Sequence, residues 1–303
     1  PNELEILSVR REIWFKNWSI SFISPLYHPC TCQLKHSVDS FTFFVLVRME
    51  KIKQFLNETS NSDEDRIEES GVKQVYFFVK PNDHFNLKRF AENTEELMDL
   101  LGYNKFVVIS VSGGGPYAAA VSYFLGDRVQ ATTSINGIAP MELKKFPFLN
   151  QAQKKMYLLN KLLPRPAMQF FIEQLYNRNA DRIDQILTSD FEGISPNDRK
   201  VLDDPETGPF LFETFKFSVK HGPYGLLSDM RIYLEPWGFE IKDIKVPYYL
   251  YHGNADDVVH PIWSRFMKEQ LTNVRFQLFD GEGHYSLPYN YRDHFLRDII
   301  TDI

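Results

Sequence analysis

The chain is poor in cysteine: 303 residues hold two, Cys30 and Cys32, with one residue between them. So short a loop does not carry an ordinary disulfide, and two cysteines are too few for a stapled secreted scaffold. A reducing, cytoplasmic setting is the expectation. With His28 and His36 these thiols form a Cys/His cluster, but structural zinc sites favour Cys-x-x-Cys or wider spacing, so the reading is two free thiols and no metal. Positive charge is also short, with 34 Lys and Arg against 40 Asp and Glu and a net charge of −6. No global positive field exists to gather phosphate backbones, and nucleic acid is not an expected partner. Long apolar runs are missing too. The longest near the N-terminus, Phe41 to Val47, falls far short of the roughly 20 residues a membrane span needs. What remains, 43% hydrophobic and 24% charged residues, is the composition of a folded globular protein able to bury its own core.

The chain opens on Pro1 without the basic, apolar, small-residue order of a signal peptide, which reads as a fragment or processed product with Met49 as an internal start. Asn17-Trp18-Ser19 and Asn57-Glu58-Thr59 fit the glycosylation acceptor pattern, which is too loose to carry weight. Residues 1–70 form a divergent segment: weak periodicity, the strand-like Phe41 to Val47, then the polar stretch Asn57 to Ser70. From Gly71 the signals sharpen. Val72 to Val79 reads as a strand broken by Pro81-Asn82-Asp83, and Phe90, Leu97, Leu100 and Leu101 fall at helical spacing before Gly102. Phe106 to Ser110 reads as a buried strand, Pro116 to Leu125 as an Ala-rich helix, and 129–135 as a further strand. Alternation of this kind predicts an α/β fold with a parallel sheet and right-handed crossovers.

From 140 to 237 the pattern becomes helical and is punctuated by Pro164, Pro166, Pro196, Pro205 and Pro209. Strand character returns at Val246 to Tyr251 and Val274 to Phe279. The expected organisation is therefore a core of 71–139 and 238–303, incompletely preceded by 1–70, with 140–237 inserted as a helical cap. Such a block lies most simply over the carboxyl edge of the sheet, where α/β folds bind ligands. In it, Phe170, Phe171, Phe210, Phe212, Phe215 and Phe217 are candidates for lining an apolar pocket, although helical aromatics more often belong to a core. Trp237 is expected where the insertion rejoins the sheet.

Val107-Val108-Ile109-Ser110-Val111-Ser112-Gly113-Gly114-Gly115-Pro116 runs from strand to helix through a glycine cluster. A nucleophile on a strained strand-to-helix turn needs very small neighbours, and Gly114 supplies one. In the Gly-x-Ser-x-Gly pattern the first glycine is here Ser110, which makes Ser112 the candidate nucleophile. The helix start and the N–H of Gly113 point at the place where an oxyanion would form. A phosphate loop is disfavoured, since neither Gly-Lys-Ser/Thr nor Gly-x-Gly-x-x-Gly is present; a tight turn without chemistry is the bland alternative.

A serine hydroxyl needs a base and a carboxylate behind it. His252-Gly253-Asn254-Ala255-Asp256-Asp257 follows one late strand and Gly281-Glu282-Gly283-His284 the next. Asp256 is the candidate acid, three residues past Gly253, with Asp257 as its rival; His284 is the candidate base, and His252 reads as holding the turn. Taken singly, an Asp in a turn or a His in a Gly-rich loop is ordinary. The order Ser, Asp, His is informative.

Together, Ser112 to Tyr117, Pro236-Trp237-Gly238-Phe239 before Val246-Pro247, His252-Gly253 through Asp256, and Gly281 to His284 resemble the α/β-hydrolase superfamily over about residues 71–303, in its serine-nucleophile branch with a helical cap. The resemblance implies the α/β-hydrolase fold, a mostly parallel sheet with helices on both faces. It also implies a cofactor-independent serine hydrolase acting on an ester or amide of a small, largely apolar substrate through an acyl-enzyme. A nucleophilic serine disfavours the epoxide-hydrolase and dehalogenase branches, which use a carboxylate. Two family features are missing. No His-Gly turn follows the early strand, where Phe41 to Val47 runs into Arg48-Met49-Glu50-Lys51, and the family's Asp-x-Pro-Gly stretch is reduced to Val79-Lys80-Pro81-Asn82-Asp83-His84. Loss of one oxyanion donor costs about 100- to 1000-fold in turnover, so a catalytically impaired binding or regulatory module is the alternative expectation.

Overall fold

The computed structural model describes residues 43–47, 86–100, 102–141, 147–149, 151–179, 194–209, 211–212 and 224–301. The cluster of Cys30, Cys32, His28 and His36, the strand expected at Val72 to Val79, and Phe210, Phe215 and Phe217 lie outside them. In chain order the elements are β1 (Phe43–Val47), α1 (Leu87–Leu100), β2 (Phe106–Val111), α2 (Gly115–Phe124) and β3 (Val129–Ile135). Helices that follow among the described residues include α3 (Gln151–Leu162), α4 (Arg165–Asn179), α5 (Pro196–Leu202) and α6 (Tyr224–Leu234). The chain then returns through β4 (Tyr248–Gly253), α7 (Ile262–Gln270), β5 (Val274–Phe279), α8 (Ser286–Asn290) and α9 (Arg292–Thr301).

The five strands form one sheet in the order β1-β2-β3-β4-β5, with every pair from β2 onward parallel. Strand alternation sorts side chains onto two faces. One face carries Phe106, Val108, Tyr248 and Leu250 against a cluster with Leu97 and Met98 of α1, Ala118 to Val121 of α2 and Trp263 of α7. The other carries Val107, Ile109, Tyr249 and Tyr251 against Phe295, Leu296 and Ile299 of α9. Helices therefore cover both faces, which is why β2 can be apolar without alternation. Each fully buried Leu, Ile or Phe side chain contributes about 1.5–3 kcal/mol of transfer free energy. In α2, Ala118, Ala119 and Ala120 are all fully buried, and their size lets the helix lie close to the sheet.

Helix α1 ends as its sequence predicts. Gly102 adopts φ 71°, and the Tyr103 N–H reaches back to the Met98 carbonyl at 2.8 Å while the Gly102 N–H donates to Asp99, a Schellman closure. Strand β4 begins at Tyr248 rather than Val246 because Pro247 has no N–H to donate; its carbonyl still accepts from the Thr132 N–H at 2.9 Å. Trp237 is buried in the first cluster, its ring 5.9 Å from that of Phe239.

One strand departs from the expected course. β1 pairs antiparallel with β2, Phe43 opposite Val111 and Val47 opposite Val107. Its carboxyl end thus lies at the end of β2 remote from Ser112. None of the described helices is long and apolar enough to cross a membrane.

Candidate active site

The carboxyl ends of β2, β3, β4 and β5 meet at one edge of the sheet, and the candidate residues sit on the turns that leave them. After β2, Ser112 adopts φ 54°. A left-handed conformation at a non-glycine residue costs on the order of 1–3 kcal/mol, held by the surrounding packing. A 3₁₀ turn, Ser112–Gly114, leads into α2 with Pro116 in its first turn. The close approach required by the turn falls on Gly115: a methyl group there would overlap the Ile138 backbone, and the Ile138 N–H donates to the Ser112 carbonyl at 3.1 Å. Ser110, at the position usually held by glycine, is accommodated because its buried hydroxyl donates to the Thr133 carbonyl at 3.3 Å.

His284, 7% exposed, places Nε2 3.0 Å from Ser112 Oγ and Nδ1 2.8 Å from Asp256 Oδ2. The other oxygen of Asp256 accepts the N–H groups of Val258 at 2.9 Å and Val259 at 2.8 Å, which fixes the carboxylate within its loop. Ser112, His284 and Asp256 are therefore in line, and Gly113 is buried immediately after the serine. Asp257 is exposed and makes no such contact among the described hydrogen bonds. His252 is fully buried, Nδ1 2.6 Å from Ser264 Oγ and Nε2 2.7 Å from the Val259 carbonyl. A carbonyl can only accept, so Nε2 carries the proton and His252 ties the acid loop together.

Burial alone would raise the Asp256 carboxyl, but the facing His284 imidazole, with His252 on the same oxygen, holds it well below the usual carboxylate range. Burial alone would lower His284; the Asp256 charge, its hydrogen bond and the more remote Asp198 carboxylate outweigh that and raise it above the ordinary histidine value. The two shifts agree in sense, and the arrangement favours an imidazolium facing a carboxylate. The neutral imidazole can take a proton from a hydroxyl, and the imidazolium so formed, facing the carboxylate, can give it to a leaving group.

Gly253 opens a tight turn, its carbonyl accepting the Asp256 N–H at 3.3 Å, and it is also closely packed: a methyl group there would run into the Glu282 carbonyl, which itself accepts the Ala255 N–H at 3.0 Å. The acid loop and the histidine loop are thus stacked backbone to backbone.

Two buried residues that hold this stack are absent from the sequence-based list. Asn136, at φ 50° after β3, accepts the Gly253 N–H at 3.0 Å through Oδ1 and donates through Nδ2 to the carbonyls of Gly283 and His284, both at 3.1 Å. Asp198 of α5 accepts N–H groups from His284 at 2.8 Å, Tyr285 at 2.9 Å and Ser286 at 2.7 Å. The Asn136-Gly137 pair at a strand end was the visible signal for the first, and the Ser195-Pro196-x-Asp198 helix start for the second. The helical segments between β3 and β4 touch the other loops as well. Gln153 donates to the Val258 carbonyl at 2.8 Å, and the Tyr117 hydroxyl of α2 donates to Asp229 of α6. Phe170 and Phe171 of α4 are 63% and 36% exposed, not packed in a core, and Phe212 is half-buried.

The family model for the alpha/beta hydrolase fold matches residues 63–291. Among solved structures, the chain is similar to MGS-M2, an alpha/beta hydrolase enzyme from a Medee basin deep-sea metagenome library, at 14% identity and TM-score 0.52 over 75% of each chain. It is likewise similar to a bromoperoxidase from Bacillus anthracis, at 15% identity and TM-score 0.51, over 75% of this chain and 77% of that one. No curated protein gives a significant match. The match to the family model spans most of the chain and includes the turns that carry Ser112, Asp256 and His284, so the protein belongs to the alpha/beta hydrolase fold family.

Proposed function

We propose that the protein is a serine hydrolase that cleaves an ester or amide of a small, largely apolar substrate through an acyl-enzyme. Ser112 Oγ attacks the carbonyl carbon while His284 Nε2 takes its proton. Asp256 keeps the Nδ1–H tautomer and faces the imidazolium as it forms. Gly113 N–H and the start of α2 stabilise the oxyanion. Collapse of the tetrahedral intermediate breaks the bond to the leaving group, which receives the proton from His284; water then attacks the acyl-serine by the same route in reverse. No metal or cofactor enters this scheme. The helical block of 140–237 acts as the cap, and the apolar preference is drawn from its aromatic content. The single observation that supports this reading is the 3.0 Å and 2.8 Å sequence of contacts from Ser112 through His284 to Asp256.

A second reading, a family member retaining the fold as a binding or regulatory module, draws on the missing His-Gly turn after the early strand and on the antiparallel pairing of β1, whose carboxyl end lies opposite Val107 and not beside Ser112. A fluorophosphonate probe separates the two. The hydrolase labels, loses labelling in Ser112→Ala and labels far more slowly in His284→Ala. A folded wild-type protein that stays unlabelled leaves the module reading.

A further inference from the structure

Helix α8 starts two residues after His284, its N-cap residue Tyr285 makes no side-chain cap, and the N–H groups of His284, Tyr285 and Ser286 run into that start. Such N–H groups need an acceptor when buried. They find it on another element. Asp198 Oδ2 takes the His284 N–H, and Oδ1 takes those of Tyr285 and Ser286, so one carboxylate caps three consecutive donors. Asp198 is itself 1% exposed and is aimed by its own helix start, where its backbone N–H donates to Ser195 Oγ at 3.1 Å. Gly283 completes the fit: a methyl group there would overlap both the Asp198 carboxylate and the Ser195 hydroxyl. From this we infer that Asp198, on the helical block between β3 and β4, is a positioning residue for His284, fixing the loop that aims its imidazole at Ser112.

The inference rests on the proposed triad for its catalytic consequence but not for its geometry. Groups facing His284 are few. Asp256 lies on Nδ1 and Ser112 on Nε2, the Tyr285 ring packs edge-on at 5.3 Å, and His252 approaches only the shared Asp256 oxygen, at 3.4 Å. Asp198 adds a second negative charge behind the histidine backbone, so it both aligns the ring and favours its protonated form.

Asp198→Asn keeps the size, removes the charge and turns an amide N–H toward the His284 N–H. Two readouts are taken on the intact protein: fluorophosphonate labelling rate, and titration of the His284 imidazole by nitrogen-15 NMR of histidine-labelled protein, the signal identified by its loss in His284→Gln. The expected result is labelling slower by about ten- to a hundred-fold, the scale of a small misplacement of a catalytic group, with the His284 titration moved to lower pH. Asp203→Asn, at the exposed end of the same helix, leaves both unchanged. Asp198→Ser, smaller and able to admit water, gives the same result should the amide variant fail to fold. A folded variant with both readouts at wild-type values overturns the inference. If the wild type does not label but the titration still moves, the hydrolase reading falls and the positioning role of Asp198 stands.

Discussion

Asn136 offers the most direct test of how the site is held. Replacing it with alanine removes three hydrogen bonds at one buried point: the Gly253 N–H loses its acceptor, and the Gly283 and His284 carbonyls lose a shared donor. A buried N–H left unsatisfied costs about 1–3 kcal/mol, and the carbonyls, each with a second lone pair, cost less. Alanine must also adopt the φ of 50° that asparagine holds, at about 1 kcal/mol or more. The sum is about 3–5 kcal/mol, which for a chain of this size lowers the melting temperature by about 5–8 °C. Denaturant unfolding and thermal melts measure it. Asn136→Gly separates the contributions, because glycine accepts the backbone conformation but restores none of the bonds. It is expected to recover about 1 kcal/mol relative to alanine. Full recovery in the glycine variant would show that backbone strain carried the loss, and an alanine variant within about 0.5 kcal/mol of wild type would refute the argument altogether.

Asp256→Asn is expected to slow fluorophosphonate labelling by about 10³- to 10⁴-fold, the effect of losing the correct imidazole tautomer, whereas Asp257→Asn, on an exposed neighbour, leaves the rate near wild type. Labelling rate should fall with acidification along a limb lying above the ordinary histidine value of about 6.5, since His284 is raised; a limb below that value refutes the pairing. The same shift has a sign in stability. The raised His284 contributes stability that is complete below its unfolded pKa and lost as pH rises through its folded one, whereas the lowered Asp256 contributes above the carboxylate range and loses it on acidification. Unfolding free energies of wild type and His284→Gln should therefore converge as the pH is raised through the folded value.

The fold was legible because its strands are short β-branched runs separated by amphipathic helices, a pattern with few other solutions. Strand β5 runs from Val274 to Phe279 as the composition suggests, and the strand-to-helix turn at Ser112 was marked by glycines that no ordinary helix start requires. Gly253 reads as a turn former and does open a turn, but the Glu282 carbonyl also lies against it, and closeness between loops distant in sequence leaves no local mark. Asn136 and Asp198 escaped for the same reason. An asparagine before glycine reads as a turn, an aspartate in the first turn of a helix reads as a partner for its own dipole, and only the folded chain reveals that both serve backbone groups of the histidine loop. The direction of β1 was equally hidden, since a hydrophobic run has no polarity along its length.

The helical block between β3 and β4 therefore has two separable relations to the site. One is the role of cap proposed for it, to which exposed aromatic side chains such as Phe170 would contribute. The other is structural and reaches two loops and a helix: Gln153 on the acid loop, Asp198 on the histidine loop, and Asp229 on the helix that follows Ser112. A lid that only sheltered a ligand would leave the triad unaltered when it moved. Asp198 ties the two together, because displacement of α5 would strip the N–H groups of His284, Tyr285 and Ser286 of their acceptor at once, and such bonds are costly to leave unmade. Any displacement of α5 would therefore disturb the loop that carries His284.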